Sequence, residues 1–341
     1  MILRLYRFAL PLKHPFTIAR GTTRVQQTLI VELEQDGCRG YGEAPETAFY
    51  GATMEHVTAS IECARPVIES LTLADPKALW TRLRPILADA PFAQCALDAA
   101  AHDLWGKLER QPVWKLWNLA IDRCPVSDYT IGIDTIEVMR RKLEELPHFS
   151  IYKIKLGAAD DVATVRALRE HTKSVFRVDA NCGWNVEQAL QVAAELQPLN
   201  VEFIEQPLPP DDWDGMRRLH AESPLPLVAD ESCQAETDVG RCAGHFHGIN
   251  IKIVKCGGLT PARRMIARAR ELGLRVMVGC FTESTVGISA IAQLLPLVDY
   301  ADLDGALLLA ADVARGVRVN ERGQVVFPDA AGCGVELIER P

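Results

Sequence analysis

Between Tyr152 and Gly258 the chain repeats one pattern: a short apolar run that ends in a charged residue. The runs are Tyr152 to Gly157, Phe176 to Asn181, Phe203 to Pro207, Leu227 to Ser232 and Ile249 to Gly258. Lys155, Asp179, Glu205, Asp230 and Lys252 follow one another at spacings of 24, 26, 25 and 22 residues. Each spacing fits one strand, one helix and two short loops. Helical periodicity lies between the runs, in Asp160 to His171, Val186 to Leu196 and Thr260 to Leu272. The last is expected to have Thr260 as N-cap, Pro261 at the first helical position and Gly273 just beyond its end. A strand-helix repeat with polar residues at the strand ends predicts a parallel (β/α) barrel with its chemistry at the C-terminal mouth. Leu274 to Gly279 and Tyr300 to Gly305 supply strands seven and eight, and Tyr129-Thr130-Ile131 supplies strand one.

The first part of the chain has a different rhythm. Leu3 to Leu12, Thr28 to Glu34 and Arg39 to Glu43 alternate as an antiparallel meander, with Gln35-Asp36-Gly37 as a tight turn. Lys13 to Arg24 and Pro45 to Gly51 are expected as loops. From Met54 to Trp117 the period becomes helical, with Leu97, Ala101, Leu104 and Leu108 forming a buried stripe. The division expected is an α+β capping domain over residues 1–120, a barrel over 121–315, and a C-terminal segment over 316–341 returning to the cap.

Composition narrows the classes of function. The 341 residues carry a net charge of −8, and 24% of them are charged, with no basic stripe, which argues against a nucleic-acid partner. Arg4 and Arg7 interrupt the first apolar run, so no secretory leader is expected there. The longest uncharged apolar stretch, Ser284 to Val298, is shorter than the ~20 residues of a membrane helix. Ten cysteines without a C-x-x-C pair are read as reduced thiols of a cytoplasmic protein. His245-Phe246-His247 lies off the ladder and is read as structural.

Alternation along each strand sorts the candidates. Lys153 and Lys155 share a face, as do Arg177, Asp179 and Asn181, Asn250, Lys252 and Val254, and Asp302 and Asp304. Lys255 falls on the side of Ile253, which favours Lys252 as the second base. Asp179, Glu205 and Asp230 form an oxygen-only set that suits Mg²⁺ first and Mn²⁺ second. A dication beside lysines is expected to lower their ammonium pKa. Lys155 and Lys252, four strands apart in an eight-membered ring, would then address opposite faces of a carbon acid held between them.

These strand ends resemble the enolase superfamily, specifically its muconate-lactonizing-enzyme-like subgroup: K-x-K on strand two, D-A-N on three, E-Q-P on four, D-E-S on five and Lys before Gly-Gly on six. Lysine bases beside Mg²⁺ are the stock description of that superfamily. The resemblance implies a modified (β/α)7β barrel with an N-terminal capping domain. Asp302-x-Asp304 is similar to the pair that receives a dipeptide's α-ammonium in dipeptide epimerases. Arg20 is similar to the Arg that binds a C-terminal Glu side chain in Ala-Glu epimerases, with Arg24 as a weaker competitor. Tyr50 is expected to shape the pocket and Lys153 to hold the substrate carboxylate. The implied activity is Mg²⁺-dependent epimerisation of a dipeptide such as L-Ala-D/L-Glu, in a homo-oligomer. N-Succinylamino-acid racemisation, o-succinylbenzoate synthesis and muconate cycloisomerisation are the alternatives, with a non-catalytic binding barrel a remote one.

Overall fold

The computed structural model describes residues 1–157 and 160–338, so the last three residues of the expected 316–341 segment lie outside the described residues. The chain opens with an antiparallel sheet of β1 (Ile2–Ile18), β2 (Gly21–Gln35) and β3 (Cys38–Pro45). The loop expected at Lys13 to Arg24 is instead an extension of the β1–β2 hairpin, which reverses through Ala19 and Arg20. Its register shifts between Pro11 and Phe16, where Pro11 and Pro15 have no N–H to give the ladder. The Asp36-Gly37 turn has both φ values positive, as expected.

Three helices follow, α1 (Met54–Glu69), α2 (Pro76–Leu83) and α3 (Pro91–Leu108); α1 and α3 cover the sheet, and α2 packs on α3. α3 is buried on every side from Phe92 to Leu104, not along a single stripe, because it lies between the sheet and the barrel. Close approach to β3 depends on glycine. A Cβ on Gly42 would stand 2.0 Å from Ala96 O, and one on Gly40 would stand 2.2 Å from Ala100 O.

Eight parallel strands follow: β4 (Tyr129–Ile131), β5 (Ile151–Lys155), β6 (Val175–Asp179), β7 (Val201–Glu205), β8 (Leu227–Ala229), β9 (Gly248–Ile251), β10 (Arg275–Gly279) and β11 (Tyr300–Asp302). They pair in chain order, and a parallel bridge between Ser127 and Ala301 draws the last strand to the first. An α-helix fills each connection from β4 to β11, and a 3-10 turn at Gly305–Leu308 follows β11. This is the expected (β/α)7β barrel. Inside it Arg177 donates to Asp128 Oδ2 at 2.9 Å and to Ala301 O at 3.0 Å, so the polar face of β6 does point inward. Among the described residues no helix is long and apolar enough to cross a membrane.

β9 corrects two expectations. It stops at Ile251, and Ile253–Cys256 form a helical turn, so the side chains do not alternate as far as Lys255. The next helix begins at Leu259 with Gly258 as N-cap, so Thr260 lies in its first turn. The capping side chain comes from α3: Asp98 accepts from Thr260 N and Oγ1, both at 2.8 Å. Gly258, at φ 123°, is needed there because a Cβ would meet Asp98 Oδ2 at 2.3 Å. Glu43 of β3 does the same for helix Thr285–Ala292, accepting from Ser284 N at 3.0 Å and Gly287 N at 3.0 Å. Two carboxylates from the first unit thus sit at N-terminal ends of barrel helices, where free N–H groups and the helix dipole favour negative charge.

The C-terminal chain forms β12 (Ala314–Arg315), β13 (Arg318–Val319), β14 (Val325–Val326) and β15 (Glu336–Leu337). β13 and β14 make a hairpin whose Gly323 O accepts from Ser127 N just before β4. Further on, Gly332 O accepts from Val113 N, and Cys333 N donates to Asp103 of α3.

Glu283 lies buried beside Glu43, and among the described residues its Oε2 has no hydrogen-bond partner. Burial first, and the Glu43 carboxylate second, push its pKa well above the ordinary carboxylate value. A raised folded-state pKa stabilises fully below the unfolded value and loses that stability as pH rises through the folded one. Glu283→Gln should therefore match the parent near pH 5 and exceed its melting temperature increasingly toward pH 9. Thermal scans across that range check this, and a constant difference would contradict it.

Candidate active site

Parallel register sets the level of the mouth. Lys155 pairs with Asp179 across β5 and β6, and Asp179 with Glu205 across β6 and β7. Asp230 stands one residue past β8 and Lys252 one past β9. One carboxylate oxygen from each of Asp179, Glu205 and Asp230 lies within 4.8 Å of the others, all three residues buried. Lys155 Nζ donates to Asp179 Oδ2 at 2.6 Å and Lys252 Nζ to Asp230 Oδ2 at 2.9 Å. The two lysines therefore reach the cluster from opposite strands of the ring.

Lys153 is buried beneath them. Its Nζ is 2.7 Å from Glu205 Oε2, 2.8 Å from Asp302 Oδ2 and 3.4 Å from Asp179 Oδ2. The Glu205 contact is an ion pair outside hydrogen-bond geometry, so among the described residues Oε2 accepts no hydrogen bond. Burial and the neighbouring acids push the Glu205 carboxyl up to about 7. Three oxygens and no sulfur or imidazole suit a hard cation such as Mg²⁺.

Burial would lower the Lys252 ammonium, but the Asp230 and Glu205 carboxylates outweigh it and hold its pKa above the ordinary value. Burial likewise acts against the charged form of Asp230, and Lys252 and Lys255 hold that carboxyl well below its usual range. A dication sharing these carboxylates would weaken their hold on the ammonium groups.

The turns beyond the strands are strained. Asn181, Cys182 and Gln206 have φ values of 46°, 66° and 36° without being glycine. Asn181 N donates to Asp179 Oδ1 at 2.9 Å, fixing that side chain. Gln206 Oε1 accepts from Asp230 N and Ser232 N, both at 3.0 Å, and locks the end of β8 to that of β7. Asn250 Nδ2 holds Glu205 Oε1 at 2.9 Å. Lys255, turned inward by the helical turn, donates to Asp230 Oδ1 and O. Alternation alone had set Lys255 aside, although a second lysine three residues beyond Lys252 is what one turn of helix would bring back.

Above the cluster opens a cavity of about 480 Å³. Lys155, Lys252, Asn181, Thr130, Asp302 and Asp304 face it. Asp304 accepts from Thr130 N, and burial followed by the Asp302 charge raises its carboxyl to about 7. Asp302 experiences the same burial, but Lys153 outweighs it and holds that carboxyl below its usual range. Arg20, Tyr50 and Phe281 form walls, whereas Arg24 is exposed and does not face the cavity. Arg20 donates to the buried Glu231 at 2.7 Å and lies 4.2 Å over the Phe49 ring. Tyr50 packs edge-on against Phe281 at 5.9 Å. The sequence offers Glu231 only as part of the D-E-S motif, because nothing local shows that a residue more than two hundred positions away will pair with it.

Comparison with known proteins agrees with this geometry. Residues 3–117 match the mandelate racemase/muconate lactonizing enzyme N-terminal domain, and residues 135–340 match the enolase C-terminal domain-like family. An L-Ala-D/L-amino acid epimerase of Flavobacterium johnsoniae is 49% identical over 338 residues, 99% of each chain. The substrate-liganded L-Ala-D/L-Glu epimerase of Bacillus subtilis superposes with a TM-score of 0.93 at 27% identity, covering 98% of each chain. The dipeptide epimerase of Enterococcus faecalis V583, complexed with Mg and L-Leu-L-Tyr, superposes at 0.91 with 31% identity, again over 98% of each chain. The chain belongs to the mandelate racemase/muconate lactonizing enzyme family of the enolase superfamily.

Proposed function

We propose that this protein is a Mg²⁺-dependent dipeptide epimerase, with L-Ala-D/L-Glu as the leading substrate, that inverts the α-carbon of the C-terminal residue. One observation carries the reading: Lys155 and Lys252 flank a buried three-acid cluster from opposite strands, and Asp302 and Asp304 stand on the floor of the same cavity. The named activities and the Mg-and-dipeptide complex of the relatives support it.

Asp179, Glu205 and Asp230 would hold the cation, which when bound supplies positive charge to the substrate carboxylate and to the enediolate that proton loss creates. Lys155 removes or returns the α-proton on one face, and Lys252 does so on the other. Each lysine is tethered to a carboxylate, which fixes its Nζ before substrate arrives. Lys153, clasped by Asp302 and Glu205, keeps the floor charge-balanced beside the carboxylate site. Asp302 and Asp304 receive the α-ammonium. Both Arg20 hydrogen bonds leave from Nη1, so its other N–H groups can take a carboxylate side chain beside Tyr50. The same reading takes residues 1–120 as cap, 121–315 as catalytic barrel and 316–341 as the returning segment, supported by the contacts of Gly332 and Cys333 with Val113 and Asp103. It also takes the protein as a cytoplasmic homo-oligomer, a location supported by its free thiols.

Three measurements test this function. In D₂O, a dipeptide panel should show α-deuterium incorporation with inversion. Lys155→Ala and Lys252→Ala should each abolish net inversion, and each should retain exchange from only one epimer. Inversion at the parental rate in either variant would remove that lysine's role, and exchange confined to N-succinylamino acids would replace the substrate class. Mg²⁺ at a hundred times its dissociation constant should add about 2.7 kcal/mol of stability, and Asp179→Asn should lose most of that gain in a thermal-shift assay. Asp302→Asn should raise KM for a free dipeptide at least tenfold, yet change KM for its N-acetylated form little. Equal effects on both would dissociate Asp302 from the ammonium.

A further inference from the structure

Cys280, Asp302 and Asp304 meet at the cavity floor, next to the three-acid cluster but distinct from it. One ligand atom from each lies within 4.8 Å of the others, and all three residues are buried. Each carboxylate has one oxygen tied down. Asp302 Oδ2 is on Lys153 at 2.8 Å, and Asp304 Oδ2 is on Thr130 N. The second oxygen of each is not used in these bonds. Among the described residues, Asp302 Oδ1 is buried with no hydrogen-bond partner in a residue only 4% exposed, and Asp304 Oδ1 lies 3.9 Å from Cys280 Sγ, which donates to it. Cys280 Sγ is itself aimed by the Gly305 N–H at 3.3 Å.

We propose that Cys280, Asp302 and Asp304 form a second cation site, specific for thiophilic divalent ions such as Zn²⁺ or Cd²⁺. Ligand type separates it from its neighbour: three carboxylates prefer a hard ion, whereas a thiolate with two carboxylates prefers a softer one. A tetrahedral zinc with bonds of about 2.0–2.3 Å needs ligand atoms roughly 3.5 Å apart, a small contraction of the arrangement present. Three protein ligands leave a fourth position for water or another ligand. Charge also closes: the ion and the Lys153 ammonium balance two carboxylates and one thiolate. Binding replaces the S–H bond with an S–metal bond and releases that proton to solvent, with no change in oxidation state. A bound ion would occupy the place that the proposed function gives to the substrate ammonium, so thiophilic metals would act as competitive inhibitors.

The test is Cd²⁺ titration of the full chain at saturating Mg²⁺, followed by the ultraviolet thiolate-to-cadmium charge-transfer band. The parent should develop the band with a single equivalent, and Zn²⁺ should abolish it by displacement. Cys280→Ser should lose the band, whereas Cys63→Ser, which removes an exposed thiol, should keep it. Asp302→Asn should retain the band but require at least tenfold more Cd²⁺, a second readout should Cys280→Ser fail to fold. A full band in Cys280→Ser, or none in the parent, overturns the proposal. Neither outcome depends on turnover, so the result is separable from the epimerase reading.

Discussion

Three carboxylates crowded within 4.8 Å in a buried place repel strongly unless positive charge stands among them. The barrel mouth is organised to provide that charge. Lys155, Lys153, Lys252 and Lys255 each touch at least one of the three acids, and the proposed function takes Lys155 and Lys252 among them as its two bases. Their reach is set by parallel register, which puts Lys155, Asp179 and Glu205 at one level on three neighbouring strands. The strained backbone at Asn181, Cys182 and Gln206 then bends the exits so that side-chain amides and backbone N–H groups hold the acids still. A site fixed in this way needs little reorganisation when charge develops on a substrate.

The same logic joins the two units of the chain. Asp98 and Glu43 are buried acids of the cap that end on N–H groups of barrel helices. Removing either would leave helix-terminal donors without a partner inside the protein, a costly outcome. This arrangement carries the cap's other elements, including the β1–β2 hairpin with Arg20 and the Tyr50 turn, to a fixed place over the mouth. The wall residues Arg20 and Tyr50, which come from the cap, and a floor that comes from the barrel can therefore vary independently. On the proposed function, the chemistry resides in the floor and the choice of side chain in the walls.

Much of this was legible in the chain. The period of the runs gave the barrel, and alternation within β5 and β6 correctly turned Lys155, Asp179 and Arg177 inward. Both signals are local, since a strand shows its two faces through neighbouring side chains alone. They failed where the backbone changed type without a marker. β9 ends one residue before Lys252, and the helical turn after it returns Lys255 to Asp230. The hairpin through Phe16 looked like a loop because its prolines hide the pairing.

The sequence by itself determined which residues could meet a cation and a proton, because spacing and periodicity are written into adjacent positions. Tertiary structure alone decided who neutralises whom. Asp98 finds Thr260, Glu43 finds Ser284, Arg20 finds Glu231 and Lys153 finds Asp302, all between segments far apart in the chain. Such pairs leave no periodic trace, because burial and charge select partners by distance in space and not along the chain.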